Sequence, residues 1–232
     1  DLFGHGFILA RDGTKMGKSA GNASDPLELA ETFGVDALRY FLIREVSFGQ
    51  DGSYSAEAIV TRINAELANS FGNLAQRTLS FIFKNLEGNL PEIHGHDEAD
   101  NALFNVVCGA VERDIPAAFE TLAMSQGMES WMQAVFACNA YIDAQAPWTL
   151  KKTDPERMET VLATLFICIA QLAVAALPVI PGSAAKLLDQ MGIPDDVRSY
   201  SGIQSHWYSP LAESDFRLQQ PQGLFPRLEL PA

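Results

Sequence analysis

The stretch SAEAIVTRINAELANSFGNLAQRTLSFIFK, residues 55–84, decides the fold. Its apolar residues Ile59, Ile63, Leu67, Phe71, Leu74, Leu79 and Ile82 recur at three- to five-residue intervals, which is one stripe of a long amphipathic helix. Pro91, between Gly88 and Gly95, ends it. Downstream the same period returns over about 97–113, 115–121, 125–145, 155–176 and 183–191, with short connections and no strand-like alternation. Short links between helices of this length imply antiparallel neighbours, so the expected class is mainly α, an antiparallel helical bundle.

Upstream, Gly4 to Leu9 reads as a short apolar strand or loop, and Arg11-Asp12-Gly13 as a turn. Asp25-Pro26 is a helix start and Gly34 a stop, with a second helix over about 36–44. The turn-rich run Phe48-Gly49-Gln50-Asp51-Gly52 puts a boundary near residue 54. Residues 194–232 are rich in Pro, Gly and Ser and are expected to lie as an extended strap on the core. The expected organisation is therefore 1–54, 55–193 and 194–232.

A formal charge of −13 is the wrong sign for a protein that binds nucleic acid through its mean field. Any RNA contact rests on local cations: Arg62, Arg77 and Lys84 against Glu57 and Glu66 leave +1 over residues 53–86. Cys108, Cys138 and Cys168 sit singly in apolar helical patterns, which implies buried thiols and neither a disulfide framework nor a zinc site. No basic segment followed by an apolar run opens the chain, so no signal peptide is read. The uncharged run Thr160 to Ala185 has the length of a membrane span, but Gln171, Pro178, Pro181 and the Asp154-Pro155 cap favour a buried core helix.

Lys15 and Lys18, in Lys15-Met16-Gly17-Lys18-Ser19 between Gly13 and Gly21, make a cationic loop that is either solvated surface or able to neutralise a polyphosphate as charge develops on it. With His5-Gly6-Phe7 before it and Gly21-Asn22 after it, the loop resembles the KMSKS signature of class I aminoacyl-tRNA synthetases. The runs Gly34-Val35-Asp36-Ala37-Leu38-Arg39-Tyr40-Phe41 and Phe48-Gly49-Gln50-Asp51-Gly52 are similar to the methionyl-tRNA synthetase family in particular. That resemblance implies the end of a Rossmann-type catalytic domain and a stem-contact fold ahead of the bundle. It implies ATP, with Mg2+, as the nucleotide bound by Lys15, Met16, Gly17, Lys18 and Ser19. Lys18 would be the principal phosphate contact and Lys15 a supporting one, both catalytic. Gly17 stands where the family has Ser, which removes a hydroxyl and adds backbone freedom. Arg39 and Tyr40 read equally well as helix-surface and core residues or as RNA contacts.

Asn69, Asn73 and Arg77 are spaced four apart, on one helical face away from Phe71, Leu74 and Leu79. Such a face is either solvated or suited to unpaired base edges. The run Asn139 to Trp148 reads as a helix ending in Pro147-Trp148, followed by Lys151-Lys152; its indole either caps the core or stacks on a base. Gly72 to Arg77 and Asn139 to Trp148 resemble the two anticodon motifs of the same family, and Leu224 to Glu229 the end of its core enzyme. By that resemblance Asn69, Asn73, Arg77, Asn139, Pro147 and Trp148 bind the anticodon of tRNA(Met).

The implied activity is ligation of methionine to tRNA(Met) via methionyl-adenylate in the cytoplasm, with no membrane or DNA partner and no metal site within this chain. No HIGH motif precedes the loop, and Ile93-His94-Gly95-His96 has similar letters in another order. The chain is accordingly expected to begin inside a domain, and not to exchange pyrophosphate into ATP by itself. Two other readings are a free-standing tRNA-binding helical module and a synthetase for another aliphatic amino acid.

Overall fold

The computed structural model of the chain describes residues 4, 6–10, 13–16, 25–204 and 206–231. Within them it is a helical bundle with a two-stranded parallel ladder, β1 (Ile8–Leu9) and β2 (Gly52–Ser53), at one end.

Helices α1 (Pro26–Phe33) and α2 (Val35–Glu45) start and stop where their termini dictate. The Asp25 side chain accepts from the Leu27 amide, Pro26 opens the first turn, and Gly34 at φ 91° swings the chain directly into α2. Helix α2 buries Ala37, Leu38, Tyr40 and Phe41. Its polar residues dock on the turn into α10 (Pro181–Gln190). Asp36 accepts from the amides of Gly182 (3.3 Å) and Ser183 (2.5 Å), while Arg39 donates to the carbonyls of Val179 (3.0 Å) and Pro178 (2.7 Å). Tyr40 is thus a core residue, while Arg39 is exposed and held by backbone carbonyls.

The decisive helix runs continuously as α3 (Ala56–Arg62), a π-helical stretch (Ile63–Gly72) and α4 (Asn73–Asn85), with Ser55 capping its start. All of its predicted apolar stripe is buried. A stripe repeated every four residues drifts by about 40° per step around an α-helix. The wider π turns drift the other way, which keeps Ile63, Leu67 and Phe71 facing the core.

The chain continues through α5 (Glu98–Cys108), a second π stretch (Gly109–Asp114), α6 (Ile115–Glu120), α7 (Met124–Gln145), α8 (Pro147–Thr153), α9 (Pro155–Ala176), α10 and α11 (Tyr208–Ala212). The long helix α9, uncharged from Thr160 onward, is buried nearly all round, against α4, α5, α7, α8 and α10. At the centre of the core Trp131 is fully buried, donates to the Leu172 carbonyl (2.9 Å) and meets the rings of Phe71 and Tyr40 edge-on at 4.9 and 6.1 Å. Truncating such a side chain costs about 3–5 kcal/mol. The three cysteines are free thiols, and burial pushes those of Cys108 and Cys168 up.

Two details differ from the sequence reading. The helix carrying Asn139 does not end in Pro-Trp: α7 stops at Gln145, Ala146 turns left-handed at φ 46°, and Pro147 opens a new helix. The physical reason is that the residue before a proline is kept out of the α-helical region, while proline itself suits a first turn. The C-terminal region also holds the short helix α11, whose Tyr208 hydroxyl donates to the Pro91 carbonyl (2.6 Å). Beyond it, Asn64 donates to the Leu228 carbonyl (2.9 Å) and accepts from its amide (2.8 Å), an amide side chain pairing with backbone as a strand would.

Candidate nucleic-acid interface

At the ladder end, two motifs 44 residues apart in the chain meet: the Phe7 amide donates to the Asp51 carboxylate at 2.7 Å. The Gly52 amide donates to the Phe7 carbonyl at 2.8 Å. A Cβ on Gly6 would lie 2.0 Å from the Gln50 carbonyl oxygen, so only glycine allows this approach. The Ala10 amide donates to the Thr14 carbonyl (2.9 Å), and Lys15 lies back beside Leu9. The exposed Lys15 places its ammonium 4.4 Å over the Phe7 ring, and Met16 is half-buried. Gly17, Lys18 and Ser19 lie outside the described residues, as do His5, Gly21 and Asn22.

At the other end, α4 and the α7–α8 corner form a second feature. Trp148 is 45% exposed, and the Arg77 guanidinium sits 5.7 Å from its ring centre while donating to Asp143 at 2.7 Å. Arg77, Phe81, Lys84, Asn85, Pro147 and Trp148 line a cavity of about 270 Å³. Lys151 donates to Asn85 at 2.6 Å, and Lys84 and Lys152 are exposed. An open indole face, a guanidinium and lysines together suit an unpaired base and its phosphates.

Asn69 and Asn73 are exposed, but they do not share one opening with Arg77. They line, with Gln76, a groove of about 430 Å³ closed on its far side by Gly223, Leu224 and Phe225. Gln76 was not singled out from sequence; it donates to Ser80 (3.0 Å) and the Pro221 carbonyl (3.3 Å). Asn139 donates to the carbonyls of Val135 (3.0 Å) and Ser70 (3.5 Å), tying α7 to the π stretch, and Pro147 is buried at the start of α8.

The local charge count also changes. Arg62 is committed to Glu45 (2.5 Å) and Glu66 (2.8 Å), so it offers no charge to a phosphate. Arg44 joins the same group through Glu66 (3.3 Å) and Glu129, and the Tyr40 hydroxyl donates to Glu66 at 2.6 Å. Burial first, and then the Glu66 carboxylate, push the Tyr40 phenol well up. This is a knot of ion pairs joining α2, the π stretch and α7.

Comparisons with known proteins address both ends. Residues 1–79 match the family model described as class I tRNA synthetases (M), so the ladder end is of class I synthetase type. Residues 90–229 match the anticodon binding domain of methionyl tRNA ligase. The chain belongs to the methionyl-tRNA ligase family.

It is 46% identical over 226 residues to the methionine–tRNA ligase of Brucella suis biovar 1, covering 97% of this chain and 43% of that protein. The corresponding figures for the Mycobacterium leprae ligase are 44% over 232 residues, 98% and 42%. The fold matches Mycobacterium tuberculosis methionyl-tRNA synthetase bound by methionyl-adenylate with a TM-score of 0.88 at 42% identity, covering 96% of this chain and 43% of that one. The chain thus spans less than half the length of these relatives.

Proposed function

We propose that this chain works within a methionyl-tRNA synthetase, ligating methionine to tRNA(Met) through methionyl-adenylate at the expense of ATP. The observation that carries this is Arg77 over the half-exposed Trp148, inside the segment that matches an anticodon-binding domain. An aromatic face left open beside cations is a stacking platform for an unpaired base. Trp148 stacks on an anticodon base, Arg77 and Asn73 bond base edges, and Asn69 and the Asn139–Pro147 elbow complete the reader. Lys84, Lys151 and Lys152 meet phosphates.

At the other end, Lys15, Met16, Gly17, Lys18 and Ser19 form the loop over the ATP phosphates, with Lys18 the main contact and Lys15 its support. Mg2+ travels with the triphosphate, whose oxygens are the ligands it prefers. Among the described residues no group of three or more His, Cys, Asp or Glu is placed to hold a metal. The chain divides at about residues 54 and 193 into the catalytic end with its stem-contact fold, the anticodon reader, and the strap. It works in the cytoplasm and has neither a membrane nor DNA as a partner.

The test is titration of the chain with RNA stem-loops that differ only in the anticodon. A CAU loop is expected to bind more tightly than the others, and the affinity to fall with salt along a shallow slope because few cations carry it. Equal affinity for every loop would overturn the reading.

A further inference from the structure

Helix α8 has seven residues, of which Pro147 is the buried one, yet it carries Trp148, Lys151 and Lys152. A helix this short has no independent stability, so its place is set by what holds its two ends. Upstream, α7 stops at Gln145, and the left-handed Ala146 turns the chain into Pro147. Downstream, Asp154 caps α9, and three residues later Arg157 reaches back across the elbow. The Arg157 guanidinium donates to the Gln145 side-chain oxygen at 2.9 Å. It also donates to both oxygens of Asp100, at 2.5 and 2.9 Å. Asp100 is fully buried and further accepts from the Tyr141 hydroxyl, one turn before Gln145, and from the Asp97 amide at 2.8 Å. The start of α5, the last turn of α7 and the first turn of α9 are thereby tied together, and α8 is the loop of chain the tie closes.

We infer that Gln145 is a positioning residue for base recognition: by accepting from Arg157 it closes both ends of α8 onto the buried Asp100–Arg157 pair and fixes the Trp148 indole. Gln145 is half-buried and makes no contact with the stacking face itself. The inference rests on Trp148 being the stacking residue, and the test keeps the two apart.

Gln145→Met preserves length and helix propensity but removes the acceptor, while the Asp100–Arg157 pair remains. Trp131 and Trp207 are 0% and 7% exposed, so acrylamide quenching of the 232-residue chain reads Trp148. Expected for Gln145→Met is stronger quenching, with affinity for the CAU stem-loop lowered on the order of threefold to tenfold, the scale of one ordinary net hydrogen bond. Gln145→Glu supplies a carboxylate to Arg157, and its quenching is expected to match the wild type or fall below it. Wild-type quenching in Gln145→Met, or raised quenching in Gln145→Glu, overturns the inference. If Trp148→Ala also binds the stem-loop like the wild type, it is the stacking role that fails. The quenching result still decides whether Gln145 positions the indole.

Discussion

Helix α7 takes part in two Arg–Asp pairs whose chemistry is the same and whose surroundings are opposite. In one, Asp100 is 0% exposed and is bonded by Arg157, by Tyr141 of α7 and by a backbone amide. In the other, Asp143 of α7 is 62% exposed and Arg77 is 33% exposed, with the guanidinium free to lie over Trp148. A buried pair cannot exchange partners without leaving a charge in the protein interior, so it holds structure. An exposed pair is nearly as well served by water, so its arginine can turn to another anion or to a base at little cost. The molecule uses the first kind to mount the second.

The most severe way to break this comparison is Asp100→Asn. Arg157 and Tyr141 would lose a charged acceptor in a dry site, and the expected loss of stability is about 3–5 kcal/mol, measured by urea unfolding. Acid probes the same carboxylate without mutation. Burial alone would raise its pKa, but hydrogen bonds from Arg157, Tyr141 and the Asp97 amide overcome that and leave it below the usual value. The unfolded chain therefore takes up this proton first as pH falls. The carboxylate's contribution is complete above the usual carboxylate pKa of about 4 and decays as pH drops below it toward the folded value. The gap in stability between wild type and Asp100→Asn should narrow over that acid range and stay constant from pH 5 to 7.

On the exposed side, Trp148→Ala is expected to cost about 1–3 kcal/mol in binding a CAU stem-loop, the range for one base stack. The variant should melt close to the wild type, because the indole is not core. Full affinity in a folded variant would remove Trp148 from the interface. Between the two pairs lies the elbow, where Ala146 occupies a left-handed conformation at φ 46°. That conformation costs a residue with a Cβ roughly 1–2 kcal/mol, part of which glycine forfeits in the unfolded chain. Ala146→Gly should therefore stabilise the fold by about 0.5–1 kcal/mol, and a loss of stability would show that the elbow depends on the methyl group.

Much of this architecture could be read from the chain in advance. Asp25-Pro26 and Gly34 bracket α1, Asp154-Pro155 opens α9, and the stripe from Ile59 to Ile82 lies buried along its whole length. These are local signals of cap chemistry and period. What escaped notice depends on partners distant in sequence. Asp100 looks like one more acid in an acidic stretch, and only the fold shows that Arg157 and Tyr141 converge on it. Arg62 counts as a cation in the sequence and is spent on Glu45 and Glu66 in the structure. Asn69, Asn73 and Arg77 are evenly spaced in the sequence, but only the fold shows that Gly223 to Phe225 border the groove at the first two while Pro147 and Trp148 border the third. The π stretch over 63–72 also departs from a uniform α-helical reading, although the four-residue spacing of Ile59, Ile63, Leu67 and Phe71 carries a trace of it.

The smallest effect is expected at the exposed pair, where the comparison is most exacting. Asp143→Asn removes one partner of Arg77, as Asp100→Asn removes one of Arg157, but both groups that remain are solvated. The stability change should stay below about 1 kcal/mol, which for a chain of this size is a shift in melting temperature of roughly 2–4 °C or less. Salt separates the two pairs further. At 1 M ionic strength the screening length is about 3 Å, so the remaining difference between Asp143→Asn and wild type should vanish, whereas the deficit of Asp100→Asn should persist because ions do not reach its site. A salt-resistant deficit in Asp143→Asn, comparable with that of Asp100→Asn, would make Arg77 a structural residue and place the reading surface elsewhere on the bundle.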